Sequence, residues 1–141
     1  MVTRSTPKIH SGGCLCGAVR YELSGPPKYA GYCCCEDCRK ASGSGFIPFI
    51  GVLTSAMSLT GKTTSHTLAL SDGREATRNF CPVCSSLVFG GFLSGDEVTV
   101  YAGTLDDASW FKPTIAIFTR DRPAWVILPP DLKCFDGLPG G

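Results

Sequence analysis

Neither sign of charge dominates this sequence. Of its 141 residues, 13 are Lys or Arg and 12 are Asp or Glu, a formal charge of +1. That balance supplies no general field for gripping nucleic acid or an anionic membrane. Charged residues make up only 18% and hydrophobic ones 43%, which excludes a disordered polyelectrolyte. No apolar run approaches the roughly 18 residues that a membrane span needs. The opening segment MVTRSTPKIHSGG lacks the apolar stretch of roughly 7–15 residues that marks a secretory signal, so a cytoplasmic address is expected. A clean helical apolar period is missing from every long window, and so is any repeat at a solenoid period.

What is abundant is cysteine and glycine, 9 and 17 residues. An odd number of cysteines cannot all pair within one chain. Without an export signal a disulfide framework is disfavoured, because cytosolic thiols stay reduced. Metal binding is the remaining use for so many. The length suits a single domain that can bury a core unaided. Residues 1–11 read as a loose polar arm and residues 12–141 as the domain.

Short apolar or alternating segments recur between Gly and Pro breaks. They predict strands over Ala18 to Leu23, Phe46 to Leu53, Ser65 to Leu70, Glu75 to Phe80, Leu87 to Phe92, Glu97 to Tyr101, Thr114 to Phe118 and Trp125 to Leu128. Pro48 marks its segment as an edge or bulged strand. Only Glu36 to Ser42 suits a helical turn. The segment from Pro129 onward reads as a surface coil. The expected fold is mainly β, with small curved antiparallel sheets.

Cys81-Pro82-Val83-Cys84 is a CxxC turn that can place two thiolates on one side of a cation, about 2.3 Å from a zinc ion. Cys14 and Cys16, set among Gly12, Gly13 and Gly17, are the obvious second pair. The four make a closed zinc site tying the start of the chain to a point past its middle. Cys33, Cys35 and Cys38 supply three ligands by themselves. Cys34 points the other way along an extended backbone. Three thiolates with no protein fourth ligand make an open site, the kind used for catalysis or ligand binding. A thioredoxin-like role for Cys81 and Cys84 would need a βαβ context, which is absent. Ferredoxin-type spacings for an iron–sulfur cluster are also missing.

Read in order, the motifs are Gly13-Cys14-Leu15-Cys16-Gly17-Ala18-Val19-Arg20-Tyr21, then Cys33-Cys34-Cys35-Glu36-Asp37-Cys38-Arg39-Lys40-Ala41-Ser42-Gly43, then Phe80-Cys81-Pro82-Val83-Cys84, then Gly103-Thr104-Leu105-Asp106-Asp107. This series resembles the glutathione-dependent formaldehyde-activating enzyme family, which also includes centromere protein V, over residues 12 to 139. The resemblance implies a β-tent organised around two Zn²⁺ ions, a structural one on Cys14, Cys16, Cys81 and Cys84 and a second on Cys33, Cys35 and Cys38. It implies a carbon–sulfur lyase that adds glutathione to formaldehyde to give S-hydroxymethylglutathione. The family usually has His where this chain has Cys34 and Gly where it has Ser85. It often has His in the segment where this chain has Ala116.

A zinc-bound thiol ionises near neutral pH, and the thiolate can attack an aldehyde carbon. Arg39 and Lys40 follow the open site and are candidates for a glutathione carboxylate. His10 and His66 sit in no motif and read as strand or surface residues. Asp106 and Asp107 read as a turn; Trp110, Phe111 and Trp125 read as core or pocket wall. Cys134 reads as a spare thiol. The expected partner is a small thiol or aldehyde, with no nucleic acid and no membrane. Two other classes compete with the enzyme. One is a zinc-stapled binding module. The other is a protein whose second zinc is structural, completed by Cys34, Cys134 or a neighbouring chain.

Overall fold

The computed structural model describes residues 8–70 and 72–140. Strands dominate it, and two sheets carry them. The first sheet holds β1 (Ile9–Gly13), β2 (Arg20–Ser24) and β5 (Met57–Thr60) in the order β1-β2-β5, all antiparallel. The second has eight strands: β3 (Tyr29–Cys33), β4 (Ile47–Leu53), β6 (Thr64–Ala69), β7 (Glu75–Phe80), β8 (Leu87–Gly90), β9 (Glu97–Tyr101), β10 (Ile115–Ile117) and β11 (Lys133–Cys134). Their order is β11-β10-β3-β4-β9-β8-β7-β6. The fold is mainly β with curved antiparallel sheets, as expected, but β10 runs parallel to both β3 and β11.

The one α-helix among the described residues, α1 (Glu36–Ser42), falls where the sequence predicts a helical turn. Cys35 caps its start, acidic Glu36 and Asp37 follow, and the Gly43 N–H closes the last turn on the Arg39 carbonyl. Among the described residues no helix is long and apolar enough to cross a membrane.

Four expectations need correction. Ile9, His10 and Ser11, read as part of a loose arm, belong to β1 and pair with Ser24, Leu23 and Glu22; residues 1–7 lie outside the described residues. Trp125 to Leu128 is no strand: Trp125 and Ile127 point outward, and only Val126 is buried. Pro48 lies in an inner strand, not at a sheet edge. β9 reaches β4 only as far as Phe49, so at Pro48 one flank of β4 has no strand partner, and the missing N–H is tolerated. The segment after Pro129 is more than a surface coil. It contributes β11, and its backbone bonds back to Ala116, Phe118 and Thr119.

The pleat sends alternate residues of the large sheet to opposite faces. One face carries Ala30, Ile50, Val100 and Phe89 in a row across β3, β4, β9 and β8. These meet Val19, Tyr21 and Leu23 beside the small sheet, forming the main core. Burying each Val, Leu, Ile or Phe side chain among them contributes roughly 1.5–3 kcal/mol.

The other face is hollow. Its rows run Ile117, Cys33, Ile47; then Ile115, Gly31, Phe49, Tyr101; then Tyr29, Gly51, Thr99, Gly90, Arg78. The glycines admit the aromatic rings. A Cβ on Gly51 would lie 2.1 Å from the Tyr29 ring, and one on Gly90 would lie 3.0 Å from the Tyr101 hydroxyl.

Candidate functional site

The two cysteine groups read from the sequence assemble in space. Cys14 and Cys16 lie in the loop joining β1 to β2, and Cys81 and Cys84 in the turn joining β7 to β8. Their four sulfurs all lie within 4.8 Å of one another. Cys14 and Cys16 are 3.6 Å apart, and Cys16 and Cys81 are 3.7 Å apart. A tetrahedral zinc with bonds of about 2.3 Å sets its sulfurs about 3.8 Å apart. The spacing therefore fits the ion, and it is far longer than a disulfide bond of about 2.05 Å.

Backbone amides are aimed at the same sulfurs. Val19 N–H donates to Cys14 Sγ at 3.2 Å, and Val83 N–H to Cys81 Sγ at 3.3 Å. The Val19 donor favours the ionised Cys14 thiol. Ser86 Oγ sits 3.1 Å from Cys84 Sγ, and this contact leads in bringing the Cys84 thiol down to about 5. Ser85, which stands where the family usually has Gly, takes a left-handed φ of 64°. Glycine suits that conformation, whereas a side chain strains it.

The second group is built by one short stretch. Cys33 ends β3, Cys35 caps α1, and Cys38 lies in the first turn of the helix. The helix start folds two thiols back toward the strand end. Cys38 N–H donates to Cys35 Sγ at 3.2 Å, and the Cys33 and Cys35 sulfurs are 3.5 Å apart. All three sulfurs lie within 4.8 Å of one another. Crowding sets them against each other. Hydrogen bonds from Cys33 and Cys38 hold the Cys35 thiol far below its ordinary range, and the same contact with Cys35 pushes Cys33 far up. Three sulfurs this close cannot all ionise unaided, so the donor set suits a cation.

Cys34 is fully buried and belongs to neither group, and burial pushes its thiol up. Cys134 also stands outside both groups, exposed, with its thiol toward the Leu132 carbonyl. Neither completes the three-sulfur group.

Cys33 and Cys38 form part of the wall of a cavity of about 870 Å³ on the hollow face of the large sheet. Aliphatic and aromatic side chains make most of the lining, and the C-terminal segment closes one side with Phe135, Leu138 and Pro139. Among the described residues, Glu75 and Arg78 are the only charged ones in its lining. Arg78 Nη2 approaches Cys38 Sγ at 3.9 Å, and its charge favours ionisation of Cys35 and Cys38. Tyr101 also lines the cavity, and burial pushes its hydroxyl up to about 12, so it remains a neutral donor. The sequence reading missed Arg78 and Tyr101. Each occupies an ordinary strand position, and only the register across β7, β8 and β9 brings them beside the sulfurs.

Arg39 and Lys40 do not line this cavity. Lys40 pairs with Glu36 at 2.9 Å in solvent, and the Nε of Arg39 is buried without a partner. His10 stacks on Trp110 with ring centroids 4.0 Å apart, and His66 lies on exposed β6. Asp106 makes a two-pronged pair with Arg20, one bond at 2.9 Å, and Asp107 caps the turn at Ser109.

Fold and site together define a mainly β protein with two cysteine clusters suited to metal, one closed and one facing a cavity. The chain belongs to the glutathione-dependent formaldehyde-activating enzyme family, whose model matches residues 9–121. Among solved structures it is similar to a Rhodobacter sphaeroides protein, with 21% sequence identity and a TM-score of 0.50. The likeness covers 68% of this chain and 87% of that one, and it shows the fold alone. No curated protein matches the chain.

Proposed function

We propose that this protein is a zinc-dependent enzyme of carbon–sulfur chemistry that adds a thiol to an aldehyde, with glutathione as the thiol. One observation carries the proposal: a three-sulfur cluster with no fourth Cys, His, Asp or Glu ligand among the described residues forms the wall of a cavity of ligand size. Membership of the family supports it. With formaldehyde as the aldehyde, the product is S-hydroxymethylglutathione.

Cys14, Cys16, Cys81 and Cys84 would hold a structural ion, and Cys33, Cys35 and Cys38 a second, open one. When bound, zinc supplies the positive charge that keeps a substrate sulfur ionised near neutral pH. The chain does the rest. Phe49 and Phe118 pack against the three cysteines and keep water from their inner side. Arg78 adds a positive charge on the cavity side. The domain, which β1 extends back to Ile9, would act as one unit in the reducing cytoplasm where nine free thiols persist.

The test is calorimetric. Glutathione binding to the zinc-loaded protein should release a proton, because the arriving ligand must be a thiolate. Titration in buffers of different ionisation enthalpy reveals that proton. S-methylglutathione keeps every carboxylate and amide but has no thiol to ionise, and should bind much more weakly. Equal binding of the two, with no proton released, would overturn the assignment.

A further inference from the structure

The cavity beside the three-cysteine group does not match formaldehyde. Formaldehyde has two heavy atoms and fills roughly the space of one or two waters, about 30–60 Å³. The cavity holds about 870 Å³, within the range that encloses a drug-sized molecule. Its walls are mostly hydrocarbon. Ile115 and Ile117 come from β10, Phe49 and Ile47 from β4, and Phe135 and Leu138 from the C-terminal segment. A cavity of this kind gains affinity by removing apolar surface from water.

Two of its polar groups, Arg78 and Tyr101, lie on the side of the sulfurs. Arg78 is half-buried, forms no ion pair with a described residue, and approaches Cys38 Sγ at 3.9 Å. The Tyr101 hydroxyl lies over Gly90, the residue paired with Arg78 across β7 and β8. Gly90 thus links two donors in a mostly apolar hollow that also holds Glu75, Thr77 and Thr99. Donors so placed stabilise an oxygen that gains charge during reaction.

We propose that the cavity selects an aldehyde with an apolar body of several carbons, its carbonyl oxygen received by Arg78 and Tyr101. The inference rests on the thiol–aldehyde function above and names its second substrate. The thiolate sulfur bonds to the carbonyl carbon, and the carbonyl π pair moves to oxygen beside Arg78 and Tyr101. That oxygen then takes up the proton the thiol gave up, and a hemithioacetal results. No oxidant or reductant is consumed.

Straight-chain alcohols from ethanol to hexan-1-ol serve as unreactive probes, with a hydroxyl in place of the carbonyl oxygen. Their Kd for the zinc-loaded protein is read by ligand-observed NMR. It should fall about fourfold per added methylene, the factor equivalent to roughly 0.8 kcal/mol for each buried CH₂. Leu138→Asp should flatten that slope, and Phe92→Asp, at the exposed rim, is the second variant should the first not fold. Arg78→Gln should weaken every alcohol by a similar factor and keep the slope. With glutathione present, kcat/KM should be higher for hexanal than for formaldehyde. A Kd independent of chain length, or an unchanged slope in a wall variant with normal zinc content, overturns the proposal. Failure of the thiol assignment looks different: glutathione would bind without releasing a proton while the alcohol slope stays intact.

Discussion

Replacing Cys81 by Ser should unfold the protein, whereas replacing Cys35 by Ser should not. Cys81 is fully buried and lies within the main core, beside Cys14 and Val19. Its group ties the β1–β2 loop to the β7–β8 turn, joining the small sheet to the large one. Structural zinc contributes roughly 10–16 kcal/mol of apparent binding energy in small zinc-dependent domains, so an even quarter share is about 2.5–4 kcal/mol per ligand. A serine hydroxyl can still accept the Val83 and Cys84 amides that now donate to Cys81 Sγ at 3.3 and 3.5 Å, but it is no thiolate and leaves the ion with three ligands. If the ion is lost with the ligand, the loss approaches the whole of its binding energy, as large as a typical total stability of about 5–15 kcal/mol. The Cys35 group sits at the sheet's other face and is assembled from a single stretch of chain, so its loss disconnects nothing. Soluble yield, circular dichroism and zinc content of the two variants give the comparison. A folded Cys81→Ser protein beside a collapsed Cys35→Ser protein would show that the structural and open sites are reversed.

Ser85→Gly should stabilise the fold by about 0.5–1 kcal/mol, because relief of the left-handed strain exceeds the entropy glycine adds to the unfolded chain. An unchanged or lower melting temperature would contradict the strain at φ 64°. Gly51→Ala should cost about 1–3 kcal/mol, since its methyl would strike the Tyr29 ring; denaturant unfolding reads this, and a neutral result would mean the ring moves freely. The Arg20 guanidinium holds the Asp106 carboxyl below its ordinary value, so the pair's contribution is complete above the unfolded pKa near 4 and fades as pH falls through the folded value. The melting-temperature gap between wild type and Asp106→Asn should therefore narrow on acidification, and a gap that widens would contradict the pairing.

The cysteine groups were legible because their spacing is local chemistry. Cys33, Cys35 and Cys38 need only a strand end and one helical turn, and Cys81 and Cys84 need only one tight turn. Strands were legible where β-branched and aromatic residues cluster, as in Glu97–Tyr101. Ile9–Gly13 and Tyr29–Cys33 escaped because glycine and small residues weaken their local signal, and their partners hold them extended. Trp125 to Leu128 shows the converse: an apolar run without a partner forms no strand. The cavity was invisible for a further reason. Arg78 and Tyr101 are 23 residues apart in the chain and become neighbours of the sulfurs only through the register of three strands.

Cobalt substitution tests the central claim most directly, that the protein holds two thiolate-bound metal ions of which one is open to a substrate thiol. Protein reconstituted with Co²⁺ should take up two ions per chain. Added glutathione should change the ligand-field and charge-transfer bands of one ion only. Cys35→Ser should abolish that change and leave the bands of the other ion in place. Uptake of a single ion, or bands that do not move with glutathione, would contradict the account.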